Sequence, residues 1–284
     1  MDLPVVNHED YFAKIGDDHK FPINKFGELA NYLIQNRIVN KFHKPYACSS
    51  ETLSYAHSEK YISNIKNKTL SEEGIKKIGF PLIDSVVQRS LVATGGTVLA
   101  SKLAINYGIS CNTAGGSHHA NYDSGAGYCV FNDVAVAAHY LLNRGLANKI
   151  LIVDLDVHQG DGTASIFAFD DKVFTFSIHC AKNFPFRKQQ SDWDIALSMN
   201  ITDQEYLDVV RQSVDSLIRR KPELIIYQAG VDPLIHDRLG KLSLSRETLR
   251  RRNHIVLRAA KENNIPINMA VIETAIVSFW IKTR

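Results

Sequence analysis

Cysteine is scarce in this 284-residue chain: Cys48, Cys111, Cys129 and Cys180 stand far apart and form no Cys-x-x-Cys pair. That excludes a disulfide framework and a zinc ribbon, and it points to a reducing compartment. No apolar run approaches the roughly 20 residues needed to span a bilayer. The start, Met-Asp-Leu-Pro-Val-Val, also lacks the basic segment and apolar stretch of a secretory signal. A chain with no membrane span, in the cytoplasm or, in a eukaryote, the nucleus, is the expectation. An excess of one charge is missing too: 33 Lys and Arg against 30 Asp and Glu leave a net +3, too little to argue for direct contact with nucleic acid. Nor are there repeats, low-complexity tracts or Pro/Gly/Ser linkers to divide the chain, so one domain over residues 1–284 is expected.

What is present is an alternation of helical and strand-like segments. Residues 24–38, 58–67 and 91–108, the last after its glycines, carry apolar residues at helical spacing. Residues 133–145 read as a helix that Asp133 caps and Gly145 ends. Residues 149–157, 172–179 and 223–231 are short, β-branched and almost wholly apolar at their starts, the pattern of strands covered on both faces. The expected fold is therefore α/β, a single domain with a mainly parallel sheet flanked by helices on both faces. In such sheets ligands bind beyond the carboxyl ends of the strands.

At that end of the first of these strands lies Val-Asp-Leu-Asp-Val-His-Gln-Gly-Asp-Gly, residues 153–162. On an extended strand Asp154, Asp156 and His158 project to one side at about 6.6 to 7 Å intervals. Two neighbouring buried carboxylates are costly unless cations or strong donors neutralise them, and a metal is the simplest remedy. Taken alone, the motif is equally compatible with aspartates capping the following loop or helix. The strand-like stretch 223–231 runs into a further carboxylate, Asp232. Asp156, His158 and Asp232 make a two-carboxylate, one-imidazole set with positions left open for water and substrate. Asp237 lies farther along that loop and is read as solvated or capping. A third signal, residues 114–133, places His118 and His119 after a Gly-Gly turn with a second glycine-rich loop downstream. Tandem histidines alone are commonly surface residues, but beside a carboxylate-rich site they read as an acid/base pair.

The segments Thr-Gly-Gly-Thr-Val-Leu-Ala-Ser-Lys-Leu-Ala (94–104), Gly-Gly-Ser-His-His-Ala-Asn-Tyr-Asp-Ser-Gly-Ala-Gly-Tyr-Cys-Val-Phe-Asn-Asp (115–133), Ile-Val-Asp-Leu-Asp-Val-His-Gln-Gly-Asp-Gly (152–162) and Tyr-Gln-Ala-Gly-Val-Asp-Pro-Leu-Ile-His-Asp-Arg-Leu-Gly-Lys-Leu-Ser-Leu-Ser (227–245) resemble the zinc-dependent histone deacetylase superfamily. Residues 230–245 are most similar to its class IV branch, and weaker similarity extends the match over about residues 19–270. The resemblance implies the arginase/deacetylase fold. It implies a hydrolase that removes acetyl or longer fatty acyl groups from lysine side chains of proteins or peptides. It also implies Zn²⁺ held by Asp156, His158 and Asp232. His118 and His119 would be the acid/base pair, with His119 the general base, oriented respectively by Asp154 and Asp161. A K⁺ ion would sit on Asp154, Asp156, His158, Ser177 and the backbone of Ile178, with a more peripheral one on the backbone at Phe167, Asp170 and Val173. Gly127, Tyr128 and Phe184 would line the acyl-lysine channel.

In one respect the sequence departs from that family. Where a Gly-Gly-Tyr loop and a terminal helix are expected, the chain reads Ile-Glu-Thr-Ala-Ile-Val-Ser-Phe-Trp-Ile-Lys-Thr-Arg (272–284), with neither glycine nor tyrosine. Some codon choices for Thr274 to Val277, read two bases on, encode Gly-Tyr-Ser, so a frameshift is one explanation; a natural variant with another donor or without turnover is the other. Loss of such a donor lowers rates about 10²- to 10³-fold. A metal-binding pseudoenzyme and an acetylpolyamine deacetylase therefore stay open beside the protein-lysine deacylase. An arginase-like dimetal site would need further Asp/His ligands at other spacings, which are not found. The run Arg250, Arg251, Arg252 is read as the solvated face of a helix starting near Ser245, and Cys129 and Cys180 as packing or lining residues.

Overall fold

The computed structural model describes residues 3–16 and 18–270. Among them the strands are β1 (Val5–Val6), β2 (Ile109–Asn112), β3 (Ile150–Asp154), β4 (Val173–Cys180), β5 (Trp193–Leu197), β6 (Leu224–Gln228) and β7 (Ile267–Met269). They form one sheet in the order β1-β2-β7-β6-β3-β4-β5, and every pairing is parallel. The helices are α1 (Lys25–Gln35), α2 (Ser50–Leu53), α3 (Glu59–Lys66), α4 (Glu72–Ile78), α5 (Asp84–Tyr107), α6 (Asp133–Asn143), α7 (Asp161–Ile166), α8 (Asp203–Ile218) and α9 (Arg246–Glu262). The expected single-domain parallel α/β fold is the fold observed.

Alternation along the strands divides the core in two. Leu151 and Val153 of β3, with Ile225 and Tyr227 of β6, pack against Leu207, Val210 and Val214 of α8 and Val256 and Leu257 of α9. Ile150, Ile152, Leu224 and Ile226 point the other way, into a cluster with Val86, Val92 and Ala93 of α5 and Val134 to Ala138 of α6. Both faces are thus covered, which is why these strands read as continuous apolar runs.

Two local expectations are corrected. The helix at 91–108 begins earlier, at Asp84, and runs through Gly95 and Gly96. These glycines permit close approach: a Cβ at Gly96 would lie 2.8 Å from Asn112 Nδ2 and collide with the Tyr11 hydroxyl, and one at Gly95 would strike the Tyr46 carbonyl. The cap of α6 is Asn132, whose side chain accepts from Ala135 N–H, not Asp133. Buried Asp133 instead accepts from the backbone of Gly116 and Ser117 and from the Thr97 hydroxyl, fixing the turn that carries the tandem histidines.

The strand order places the site. From β3 the chain steps outward through β4 and β5, then returns to the other side of β3 to make β6 and β7. The carboxyl ends of β3 and β6 therefore flank the switch point of the sheet, where open α/β sheets leave a crevice.

Candidate active site

β3 ends at Asp154 rather than continuing through Val157, and the reason lies in its own side chains. Asp154 Oδ1 accepts from Asp156 N–H at 3.1 Å, and Asp156 Oδ1 accepts from His158 N–H at 2.9 Å, successive turns in which an aspartate bonds the main chain two residues on. Asp156 and His158 therefore reach the site by turning, not by strand alternation. An aspartate that bonds the main chain in this way, Asp156, also stands among the candidate metal ligands. β6 likewise stops at Gln228, short of Val231, and Asp232 follows on a loop bound to the first by Val157 N–H donating to Asp232 Oδ1 at 2.8 Å.

His158 Nδ1 sits 3.0 Å from Asp156 Oδ1 and 2.9 Å from Asp232 Oδ2. Ligand atoms of Asp156, His158 and Asp232 all lie within 4.8 Å of one another, the one such cluster among the described residues. Burial and the Asp156 charge push Asp232 up to about 7. Asp156, although burial opposes it, is held well below the usual carboxylate range by His118 and His158. Burial is outweighed at His158 as well, where Asp156 and Asp232 raise it to about 10. Two carboxylates this close demand positive charge, and a set of two carboxylate oxygens and one imidazole nitrogen suits Zn²⁺ with coordination left open.

The tandem histidines are both buried. His118 Nδ1 is 2.6 Å from Asp154 Oδ2, and His119 Nδ1 is 2.6 Å from Asp161 Oδ1. A carboxylate can only accept, so each Nδ1 carries the proton and each Nε2 is left for chemistry. Their charges differ. Burial lowers both, but Asp154 and Asp156 lift His118 to about 9, whereas burial and the His118 charge leave His119 at about 4.

A cavity of about 580 Å³ joins Asp156, His158 and Asp232 to His118, His119, Gly127, Tyr128 and Phe184. Its walls are close. Phe184 stands edge-on to His119 with ring centroids 4.8 Å apart, and a Cβ on Gly127, which has φ +53°, would fall 2.7 Å from His119 Cδ2. Asp237, expected to be solvated or capping, accepts from Leu239 and Gly240 N–H at 2.8 Å each, and it also lines the cavity. Ser177 and Ile178 are buried on β4, with Ser177 in register with Asp154. The stretch expected to lack a Gly-Gly-Tyr loop and a terminal helix, residues 271–284, lies outside the described residues.

A family model for the histone deacetylase domain matches residues 19–273. The chain belongs to the histone deacetylase family. An uncharacterized protein of Picosynechococcus sp. is 43% identical over 270 residues, spanning 94% of this chain and 90% of that one. Histone deacetylase 2 of Arabidopsis thaliana is 30% identical over 273 residues, spanning 91% and 70%. A crystal structure of an HDAC homologue complexed with SAHA shares the fold, with a TM-score of 0.84 at 24% identity over 99% of this chain and 82% of that one. A histone deacetylase-family hydrolase is thus the coarse identity. No helix among the described residues is long and apolar enough to cross a membrane.

Sequence reasoning missed two supports of this deacetylase-family site. Buried His57 donates Nδ1–H to Asn121 O at 2.8 Å and accepts Asn132 N–H on Nε2 at 2.9 Å, tying both ends of the loop that carries Gly127 and Tyr128; nothing in the sequence marks it. The second is Arg252. Arg250 pairs with Glu247 on the surface as expected, but Arg252 is fully buried, which corrects the reading of the run as one solvated face. A signal was available: Leu249, Arg252, Asn253, Val256, Leu257 and Ala260 form a buried stripe at helical spacing.

Proposed function

We propose that this chain is a zinc-dependent deacylase of the class IV-like branch, removing acetyl or longer acyl groups from lysine side chains of proteins. The observation that carries this reading is the two aspartate-locked histidines beside the Asp156, His158 and Asp232 cluster, all facing one cavity. Zn²⁺ on that cluster would supply carbonyl polarisation and a water whose pKa falls to about 7.

The chain's own residues do the proton work. His119, neutral at pH 7, holds a free lone pair on Nε2 and is the base that takes the water's proton, while Asp161 fixes its tautomer. It then gives that proton to the amide nitrogen as the C–N bond breaks, so that the lysine leaves as a neutral amine. His118, charged at the same pH, offsets the negative charge that develops on the acyl group and is steadied by Asp154. Tyr128 and Phe184 wall the lysine stem and exclude bulk water, and the Gly127 backbone approaches the acyl amide because no side chain intervenes. K⁺ at Asp154, Asp156, His158, Ser177 and the Ile178 backbone is part of the same reading, as is a single domain lacking the Gly-Gly-Tyr loop.

The charges on the cavity wall separate the substrate classes. Apart from the ligand aspartates, Lys25, Lys76, Lys77, Arg89 and Lys241 line it against Asp237, a field that opposes a cationic polyamine. Hydrolysis of an acetyl-lysine peptide should exceed that of an acetylpolyamine at least 10-fold in kcat/KM; equal or reversed rates would replace protein lysine with small amides. A chain that binds zinc and turns over neither is the pseudoenzyme.

A further inference from the structure

β3 and β6 are the strands whose ends deliver Asp156 and Asp232, and their ladder runs out just before it reaches them. Leu155 N–H donates to Gln228 O at 3.0 Å at the end of that ladder, after which the two segments leave the sheet as loops. At this point a guanidinium enters from α9. Arg252 Nη1 donates to Leu155 O at 3.1 Å and Gly230 O at 2.8 Å, and Nη2 donates to Ala229 O at 3.2 Å. Its Nε donates to Asn253 Oδ1 at 3.0 Å, and that oxygen also accepts the Tyr227 hydroxyl at 2.6 Å. The carbonyl of Leu155 belongs to the peptide unit that leads into Asp156, and Gly230 is two residues from Asp232.

The contact tolerates little movement. A Cβ at Gly230 would collide with the Asp156 carboxylate and lie 2.8 Å from Asp156 Cα, so the two segments already touch through a residue without a side chain. Fixing both carbonyls to one rigid, planar group sets how far apart the segments stand. A cation buried among main-chain carbonyls needs all its donors engaged, and the carbonyls at the carboxyl ends of parallel strands provide that environment.

We propose that Arg252 is a positioning residue of the metal site, strapping the ends of β3 and β6 so that the Asp156 and Asp232 carboxylates stand at ligand spacing. Its bonds to the two segments are to main-chain carbonyls, so it acts through the backbone. The proposal rests on the reading of Asp156, His158 and Asp232 as metal ligands.

Arg252→Met and Arg252→Lys test it, with Leu257→Ala, in the same helix and the adjoining core, as the control for lost stability. Co²⁺ affinity is measured by chelator competition and the Co²⁺ visible spectrum recorded, alongside urea denaturation of each variant. The expected result is Co²⁺ binding about 10- to 100-fold weaker in Arg252→Met, as for other residues that orient ligands, with an altered spectrum, and partial recovery of both in Arg252→Lys. Leu257→Ala should lose stability but keep the wild-type affinity and spectrum. Wild-type affinity and spectrum in Arg252→Met would overturn the proposal, as would equal weakening in Leu257→Ala. A wild-type chain that takes up no Co²⁺ would overturn the metal reading itself, and the positioning role with it.

Discussion

His119 Nδ1 lies 2.6 Å from Asp161 Oδ1, and this contact decides which nitrogen of His119 is free to act. Asp161→Asn should leave zinc bound while lowering kcat about 10- to 100-fold, the usual effect of removing a carboxylate that orients a working imidazole. Steady-state kinetics and metal analysis on the same preparation check it; an unchanged kcat would remove Asp161 from the mechanism.

Gly127→Ala should separate catalysis from metal binding. The added Cβ would stand 2.7 Å from His119 Cδ2 and 3.1 Å from Phe184 Cε1, at a positive φ that side chains rarely adopt. A fall in kcat/KM of at least about 10-fold with unaltered zinc content is expected, since reacting groups displaced by an ångström lose rate on that scale.

Metal should stabilise the fold through Asp156, His158 and Asp232. Zinc at about 1,000 times its Kd adds about 4 kcal/mol to a site that exists only in the folded chain. Thermal melts of metal-stripped protein should therefore rise on adding zinc, and Asp232→Asn should show a much smaller rise. A variant that gains as much as wild type would place the ion elsewhere.

Acid should weaken the fold through His57. Burial holds this imidazole at about 4, below its ordinary 6.5, and protonation of Nε2 would also end its acceptance of Asn132 N–H. A depressed folded-state pKa means that the unfolded chain binds the proton first. His57 thus contributes full stability above pH 6.5, progressively lost as pH falls towards 4, by up to about 3 kcal/mol. Urea denaturation between pH 7 and 4.5 should show a shallower pH slope in His57→Gln than in wild type.

Most of the fold and the heart of the candidate site are legible in the chain because their signals are local. Apolar runs announced β3, β4 and β6, and the three candidate ligand residues followed two of those runs directly. Element ends were less legible. β3 was expected to reach Val157, but Asp154 and Asp156 bond the backbone two residues on and end it, a competition that propensity does not register. Gly95 and Gly96 suggested a late start for α5, yet they serve its packing against Tyr46 and Tyr11. Arg252 and His57 act across 97 and 75 positions of sequence, on Leu155 and Asn132. Contacts so distant in sequence leave no spacing to read, although the apolar stripe of α9 shows which arginine turns inward.

Zinc content measured beside hydrolysis of acetyl-lysine and myristoyl-lysine peptides, for the wild-type chain, Asp156→Ala and His119→Ala, is the most direct trial of the zinc deacylase reading. The expected outcome is one zinc per wild-type chain with turnover of an acyl-lysine peptide. Asp156→Ala should lose both zinc and turnover, and His119→Ala should lose turnover alone. Turnover that survives in Asp156→Ala, or a wild-type chain that holds no zinc, would contradict it.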